Sequence, residues 1–358
     1  MNYSKKAQRA IIFLDSFPKL DYKHKAAILQ QVENPERLYE QLPAFSDLLE
    51  KAMGKESRLL LEKANERGEE EVLSALQKKG IMPVTRGNKY YPEELENTDA
   101  PPFVLYTKGN LELLKKQKFA VVGSRKTPQA ELRLTESLAE TIADYMTVVT
   151  GVAEGADTAA LTGALKKKNA ICVLAYGFDT VYPESNRGLL QSAAQNGLVI
   201  TEYPPSVPAY KSQFPIRNRI IAGLSKGVLV VSAKEKSGAL YTASYANLYG
   251  RDVFAFPYKA GDAAGKGCNN LIKQGAYLCD GVEDILSSYQ IAVEQKPLPP
   301  LTKEEAALFA ALREEEQTID TLAEVTGIPA FLIMPSLSSL EIAGLIVKTG
   351  ADGYRAVK

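Results

Sequence analysis

The chain has no tryptophan, one histidine (His24) and three cysteines among its 358 residues. A Ser-His-Asp triad or a His-rich metal site would have to rest on His24 alone, which removes much familiar hydrolase chemistry. Cys172, Cys268 and Cys279 form no disulfide framework and contain no Cys-x-x-Cys pair, the usage of a reducing cytoplasm. Long apolar runs are lacking too. Stretches such as Gly227-Val-Leu-Val-Val-Ser232 fall far short of the ~18 residues that span a bilayer, and the short apolar stretch 10–14 ends at Asp15, which is no secretory signal. The expectation is a cytoplasmic protein without membrane contact, metal or other cofactor. Net charge is also missing, with 43 basic against 43 acidic side chains. The balance is uneven along the chain, however. Residues 1–100 hold 16 basic and 17 acidic, 101–300 hold 22 and 17, and 301–358 hold 5 and 9. Positive charge thus collects in the middle and negative charge at the end.

What is present is ordinary globular material, 45% hydrophobic and 24% charged, long enough for two or three domains. Residues 1–67 alternate apolar and polar side chains at helical spacing in 7–14, 23–32, 35–42 and 45–65, which predicts a small helical domain. From 68 to 290 the pattern changes. Short strands at 82–85 and 103–106 precede six continuous apolar runs, 119–122, 147–150, 170–175, 198–201, 228–231 and 252–256, separated by helical stretches. Strands apolar throughout are covered on both faces, so this is an α/β fold with a Rossmann-like parallel sheet. A Pro-rich linker at 291–300 leads to 301–358, where three helices (302–312, 319–326, 330–341) and two strands around Gly350 and Gly353 form a winged-helix pattern. Its third helix has no lysine or arginine. Phosphate binding needs cations, so this unit is expected to contact protein or serve the structure rather than read DNA.

Ligands of a parallel sheet bind beyond the carboxyl ends of its strands, where helix N-termini offer free amides. The first such end carries Gly123-Ser-Arg-Lys126. Gly123 lets backbone approach an anion, Ser124 adds a hydroxyl and Arg125 can clamp phosphate through two bonds. Only the first glycine of the dinucleotide fingerprint is there, and no Walker pattern occurs. The fourth end leads to Lys211-Ser-Gln-Phe-Pro-Ile-Arg-Asn-Arg219. Pro215 suits a first helical turn, which places Lys211 and Phe214 just before the helix and Arg217 and Arg219 within it. A ring beside cations fits base stacking next to phosphate contacts. Residues two apart on a helix point ~200° apart, so one arginine is expected on the ligand and the other on neighbouring loops. The fifth end adds Lys234, Lys236, Ser237 and Gly238. Asp157, Asp179 and Glu202 are scattered, better read as caps or loop bonds than as general bases. The rim is built to hold a polyanion without cutting it.

These residues resemble the DNA-processing protein A family (DprA, also called Smf). The likeness lies in Gly123-Ser-Arg125, 151–157, Tyr182-Pro-Glu-Ser-Asn186, Phe214-Pro-Ile-Arg-Asn-Arg-Ile-Ile-Ala-Gly-Leu-Ser225, Ser237-Gly238 with Thr242-Ala243, Gly250-Arg251 and 267–276. The resemblance implies an extended Rossmann-like domain between a helical domain similar to a sterile-alpha-motif or helix-hairpin-helix fold and a C-terminal winged helix. It also implies a non-catalytic binder of single-stranded DNA that protects the strand during natural transformation, loads the recombinase RecA and works as a homodimer. By motif match Arg125, Lys211, Phe214, Arg217 and Arg219 are the expected DNA contacts, joined by Gly123, Ser124, Ser237 and Gly238 from the rim, while Ile272 and Leu278 are expected at the dimer face. Two positions depart from the family pattern: Ala160-Leu161 replaces an Ala-His pair, and Pro257-Tyr258 replaces Pro-Gly. The alternatives are a phosphoribohydrolase-like enzyme, whose Pro-Gly-Gly-x-Gly-Thr loop is missing here, and a nucleotide-sensing module.

Overall fold

The computed structural model describes residues 3–32, 34–292, 301–349 and 353–356. The chain separates into two compact units, Met1–Ala292 and Val293–Lys358. The first is organised by a nine-stranded sheet: β1 (Met82–Thr85), β2 (Val104–Gly109), β3 (Lys118–Val122), β4 (Thr147–Thr150), β5 (Ala170–Val173), β6 (Leu198–Thr201), β7 (Gly227–Val230), β8 (Asp252–Ala255) and β9 (Tyr277–Leu278). Their order is β1-β2-β6-β5-β4-β3-β7-β8-β9. From β6 to β9 every pairing is parallel, while β1 and β2 add an antiparallel margin.

Strands β3 to β7 are buried along their whole length because helices cover both faces. Successive side chains point to opposite faces. Phe119, Val121 and Leu229 therefore join one core cluster with Leu138, Ile142 and Leu161, and Ala120, Val122, Val228 and Val230 join another with Ile220, Ile221 and Ala243. Leu161, where the family pattern has histidine, is fully buried in the first cluster. Each such buried aliphatic side chain contributes ~1.5–3 kcal/mol.

The N-terminal helices have their own core of Phe13, Leu14, Ile28, Leu38, Leu49 and Leu60. The expected helix 45–65 is two, Ser46–Met53 and Glu56–Lys63, because the chain turns at Gly54 with φ +60°. Residue 68, where the expected second domain begins, lies inside the helix Glu66–Lys78. These helices are keyed to the sheet. Ile11, Ile12 and Leu76 pack on Val104 and Tyr106, and the buried Tyr106 hydroxyl donates to Asp15 at 2.8 Å, which also accepts from Lys25 at 2.8 Å.

The second unit has helices Lys303–Glu314, Ile319–Thr326 and Ala330–Ile342, then strands Ile346–Thr349 and Gly353–Ala356. A short strand, Gln317–Thr318, completes a three-stranded antiparallel sheet. A capping box between Thr302 and Glu305 starts the first helix, and Leu308, Leu312, Leu322, Ile333, Leu337 and Leu340 form the core. This is the expected winged helix. Of the linker placed at 291–300, residues 293–300 lie outside the described residues.

Candidate nucleic-acid interface

The chain runs outward from β3 to β6, then returns to place β7 on the other side of β3. That reversal is the switch point where loops on either side part and leave a crevice. A cleft of about 620 Å³ lies there, walled by residues that follow β3, β4, β5, β6 and β7. It is bordered by Gly123, Ser124, Arg125, Lys211, Phe214, Arg217, Ser237 and Gly238, all read from the sequence as rim residues, together with Lys234 and Lys236.

The turn after β3 is held by backbone. Ser124 N–H donates to the Ser232 carbonyl at 2.8 Å, the Ser124 carbonyl accepts from Ala156 N–H at 3.2 Å, and Ser124 Oγ accepts from Lys126 N–H at 3.1 Å. A side chain at Gly123 would put its Cβ 2.6 Å from Ala156 Cβ and 2.7 Å from Val231 Cγ2, so only glycine lets the β3 and β7 loops close this near. Arg125 leaves the turn into solvent, with its guanidinium 5.5 Å from the Phe214 ring centre. Phe214 also meets Tyr182 edge-on, centroids 5.6 Å apart. The ring is fixed from two sides while still bordering the cleft.

The helix bearing Phe214 starts earlier than its proline suggested. It spans Gln213–Leu224, so Phe214 and Pro215 lie in the first turn and only Lys211 precedes it. Pro215 is tolerated because the first four helical N–H groups have no intrahelical partner to lose. Arg217 and Arg219 are both buried, and they diverge. Arg217 forms part of the cleft, donates to the Val173 carbonyl at the end of β5 and lies 4.0 Å from Asp157 Oδ2. Arg219 is not among the cleft residues; it is paired with Glu202 beside β6, where Glu202 Oε1 and Arg219 Nη1 have no further partner among the described residues. The two-residue spacing sends them to opposite sides, as the helical geometry required, and only Arg217 borders the cleft, where the family likeness had implied both.

Five cations border the cleft, Arg125, Lys211, Arg217, Lys234 and Lys236, against one carboxylate, Asp157. Among the described residues no salt bridge ties Arg125, Lys211, Lys234 or Lys236 to an acid, whereas Lys79, Lys118, Lys166 and Lys266 are all so paired. Unpaired cations around a low-dielectric crevice concentrate positive potential. Asp157 is buried, which pushes its carboxyl above the ordinary range against the opposing pull of Arg217; it accepts from Ala153 N–H at 3.4 Å. It steadies Arg217 and the β4 loop. Asp179 bonds Lys79 and Glu202 bonds Arg219, loop and packing roles in each case. The three thiols are buried and pushed up to about 12.

Tyr182 and Asn218 belong to the site without having been read as part of it. Tyr182 stood in a motif of the family likeness, but nothing in its spacing indicated contact with Phe214. Asn218 reaches across to the Gly238 carbonyl at 3.3 Å and ties the Phe214 helix to the β7 loop. At the far edge, Leu278 on β9 is exposed and Ile272 half-buried against the sheet. Tyr258, at the second departure from the family pattern, donates to the Val231 carbonyl at 2.8 Å and covers Gly265.

Fold and cleft together define an α/β protein with a cation-lined cleft at the switch point of a parallel sheet. The family model described as DNA recombination-mediator protein A matches residues 82–290, and that of the DprA winged helix domain matches 292–351. The chain is 40% identical over 201 residues to the DNA processing protein DprA of Streptococcus pneumoniae, covering 56% of this chain and 71% of that protein. It is 37% identical over 273 residues to protein Smf of Escherichia coli, covering 72% and 73%. The S. pneumoniae DprA crystal structure superposes with a TM-score of 0.63 at 29% identity, over 82% of this chain and all of that one. DNA processing protein A from Helicobacter pylori, a protein with a unique single-stranded DNA binding mode, superposes with a TM-score of 0.54 at 28% identity, over 58% and 95%. The chain belongs to the DprA/Smf family of DNA-processing proteins.

Proposed function

We propose that this protein is a non-catalytic, cytoplasmic single-stranded DNA-binding protein and recombination mediator. It protects incoming single strands in natural transformation and loads RecA onto them. The observation that carries the binding reading is the cleft itself, where Arg125, Lys211, Lys234 and Lys236 form no salt bridge among the described residues and surround a ring fixed by its neighbours. Cations take the phosphates in any sequence, and a π-face takes any base, so the combination holds a strand without reading it. Gly123, Ser124, Arg125, Lys211, Phe214, Arg217, Ser237 and Gly238 are its contacts, and Arg219 supports them from behind through Glu202. Asp157, the carboxylate that borders the cleft among the described residues, lies 4.0 Å from Arg217, which suits a positioning role better than that of a general base. Membership of the recombination-mediator family supports the RecA role. The homodimer forms through the margin at β9, where Leu278 is 49% exposed and Tyr277 54% exposed beside Ile272.

Fluorescence anisotropy with labelled oligo-dT and a duplex of equal length tests the reading. Single strands should bind more tightly, with affinity rising with length. Equal affinity for a mononucleotide and a long oligonucleotide would replace it with nucleotide sensing.

A further inference from the structure

The cleft shares its β7 margin with the helix Ala239–Leu248, since Gly238, Ala239 and Thr242 all border it. Thr242 is 1% exposed and its hydroxyl has no hydrogen-bond partner among the described atoms. This helix, Ala-Leu-Tyr-Thr-Ala-Ser-Tyr-Ala-Asn-Leu, carries no charge at all. Its outward side is uncharged: Tyr241 is 55% exposed, Leu248 is 65% exposed, Tyr245 lies half-buried between them, and the exposed Ser244 and Asn247 flank them. Gly238, Tyr241, Tyr245 and Leu248 are three or four residues apart in turn, so they form one stripe that begins at the cleft.

Core packing does not account for Tyr241. Among the described residues its side chain makes no hydrogen bond and no ring contact, unlike Tyr245, which stacks on Tyr249 with centroids 5.9 Å apart and planes 23° apart. Tyr249 in turn donates its hydroxyl to Asp99, so the second ring is held in place from below. The acid in the preceding loop, Glu235, is engaged by Lys266 at 3.0 Å, leaving Lys234 and Lys236 as the free charges there. Four helical residues advance about 6 Å along the axis. Stacked nucleotides advance ~3.4 Å per strand, so Tyr241 and Tyr245 match alternate bases of a stacked strand or adjacent bases of a stretched one.

Resting on the single-strand reading of the cleft, we propose that the DNA leaves the cleft over Gly238 and continues along this helix, stacking bases on Tyr241 and then on Tyr245. The uncharged stripe lets the backbone pass without repulsion, and Lys234 and Lys236 neutralise it at the turn. The helix therefore extends the footprint of one protomer beyond the cleft, and the added contact is sequence-tolerant.

The full-length protein with labelled oligo-dT, lengthened one nucleotide at a time from the shortest that binds, provides the test. Tyr241→Ala should leave the shortest oligonucleotide unaffected and weaken the longer ones roughly 5- to 150-fold, while Tyr241→Phe keeps full affinity. Phe214→Ala should weaken every length. Oligonucleotides carrying one photoreactive iodouracil at successive positions should cross-link first to Phe214 and, further along, to Tyr241. A Tyr241→Ala variant that binds all lengths as the parent does, or loses affinity equally at all lengths, overturns the path, as does cross-linking that reaches Phe214 but never Tyr241. If the parent protein binds no oligonucleotide of any length, the failure lies with the single-strand reading itself.

Discussion

The cleft and the third helix of the winged helix present opposite chemistry. Around the cleft, five cations meet one carboxylate, and most of them are left without an acidic partner. The third helix of the winged helix has no cation, and it exposes Phe331, Leu332, Met334 and Ile342 on a unit whose residues 301–358 carry more acid than base. The helix that such a fold elsewhere lays in a groove of DNA carries no side chain here that could neutralise phosphate. Shape alone therefore assigns nothing; it is the charge on the presented face that distinguishes the two units.

That contrast can be broken by five single substitutions and one double variant. The largest effect is expected at the buried support rather than at the surface. Arg219→Ala leaves Glu202 buried without its partner and should cost about 3–5 kcal/mol of stability, read as a lowered unfolding midpoint. The double variant Arg219→Met with Glu202→Leu should recover most of it, and a melting curve unmoved by Arg219→Ala would mean the pair carries no weight. Next, Phe214→Ala should reduce oligo-dT affinity by about 1–3 kcal/mol with little change in melting. Smaller still are Arg125→Ala and Lys211→Ala, each of which should flatten the dependence of log affinity on log salt by about 0.7–1. Unchanged slopes in both would remove the rim from the phosphate path. Phe331→Ser in the winged helix should alter single-strand affinity by less than about twofold, a surface change of the kind that stays within ~0.5 kcal/mol; a large loss would give that unit a share in DNA binding and erase the contrast.

The sheet was legible because continuous apolar runs have one physical explanation, coverage on both faces, and β4 and β6 fall where those runs lie. The run at 170–175 overshot β5 by two residues, since Leu174 and Ala175 are as buried as the strand while already leaving the ladder. The winged-helix elements were legible from period and breaks, except the two-residue strand Gln317–Thr318, which is too short to leave a pattern. In the cleft, cations and a ring after strand ends could be listed from the chain, and helical geometry foretold that Arg217 and Arg219 diverge. Which of them faces the cleft was not legible, because the answer depends on Glu202 and Asp157, residues distant in sequence that packing brings alongside. Tyr182 against Phe214 is the same kind of fact.

By itself the order of residues determined the parallel α/β sheet, the helical flank and the wing, because hydrophobic period and helix-breaking residues are local and each element carries its own signal. It also determined that cations and a phenylalanine gather after the strands. Only the tertiary structure decided which cations stay free, since an ion pair depends on distance in space and not along the chain. It decided too that the loops after β3 and β7 part around one cleft, because the reversal of strand order is a property of the assembled sheet.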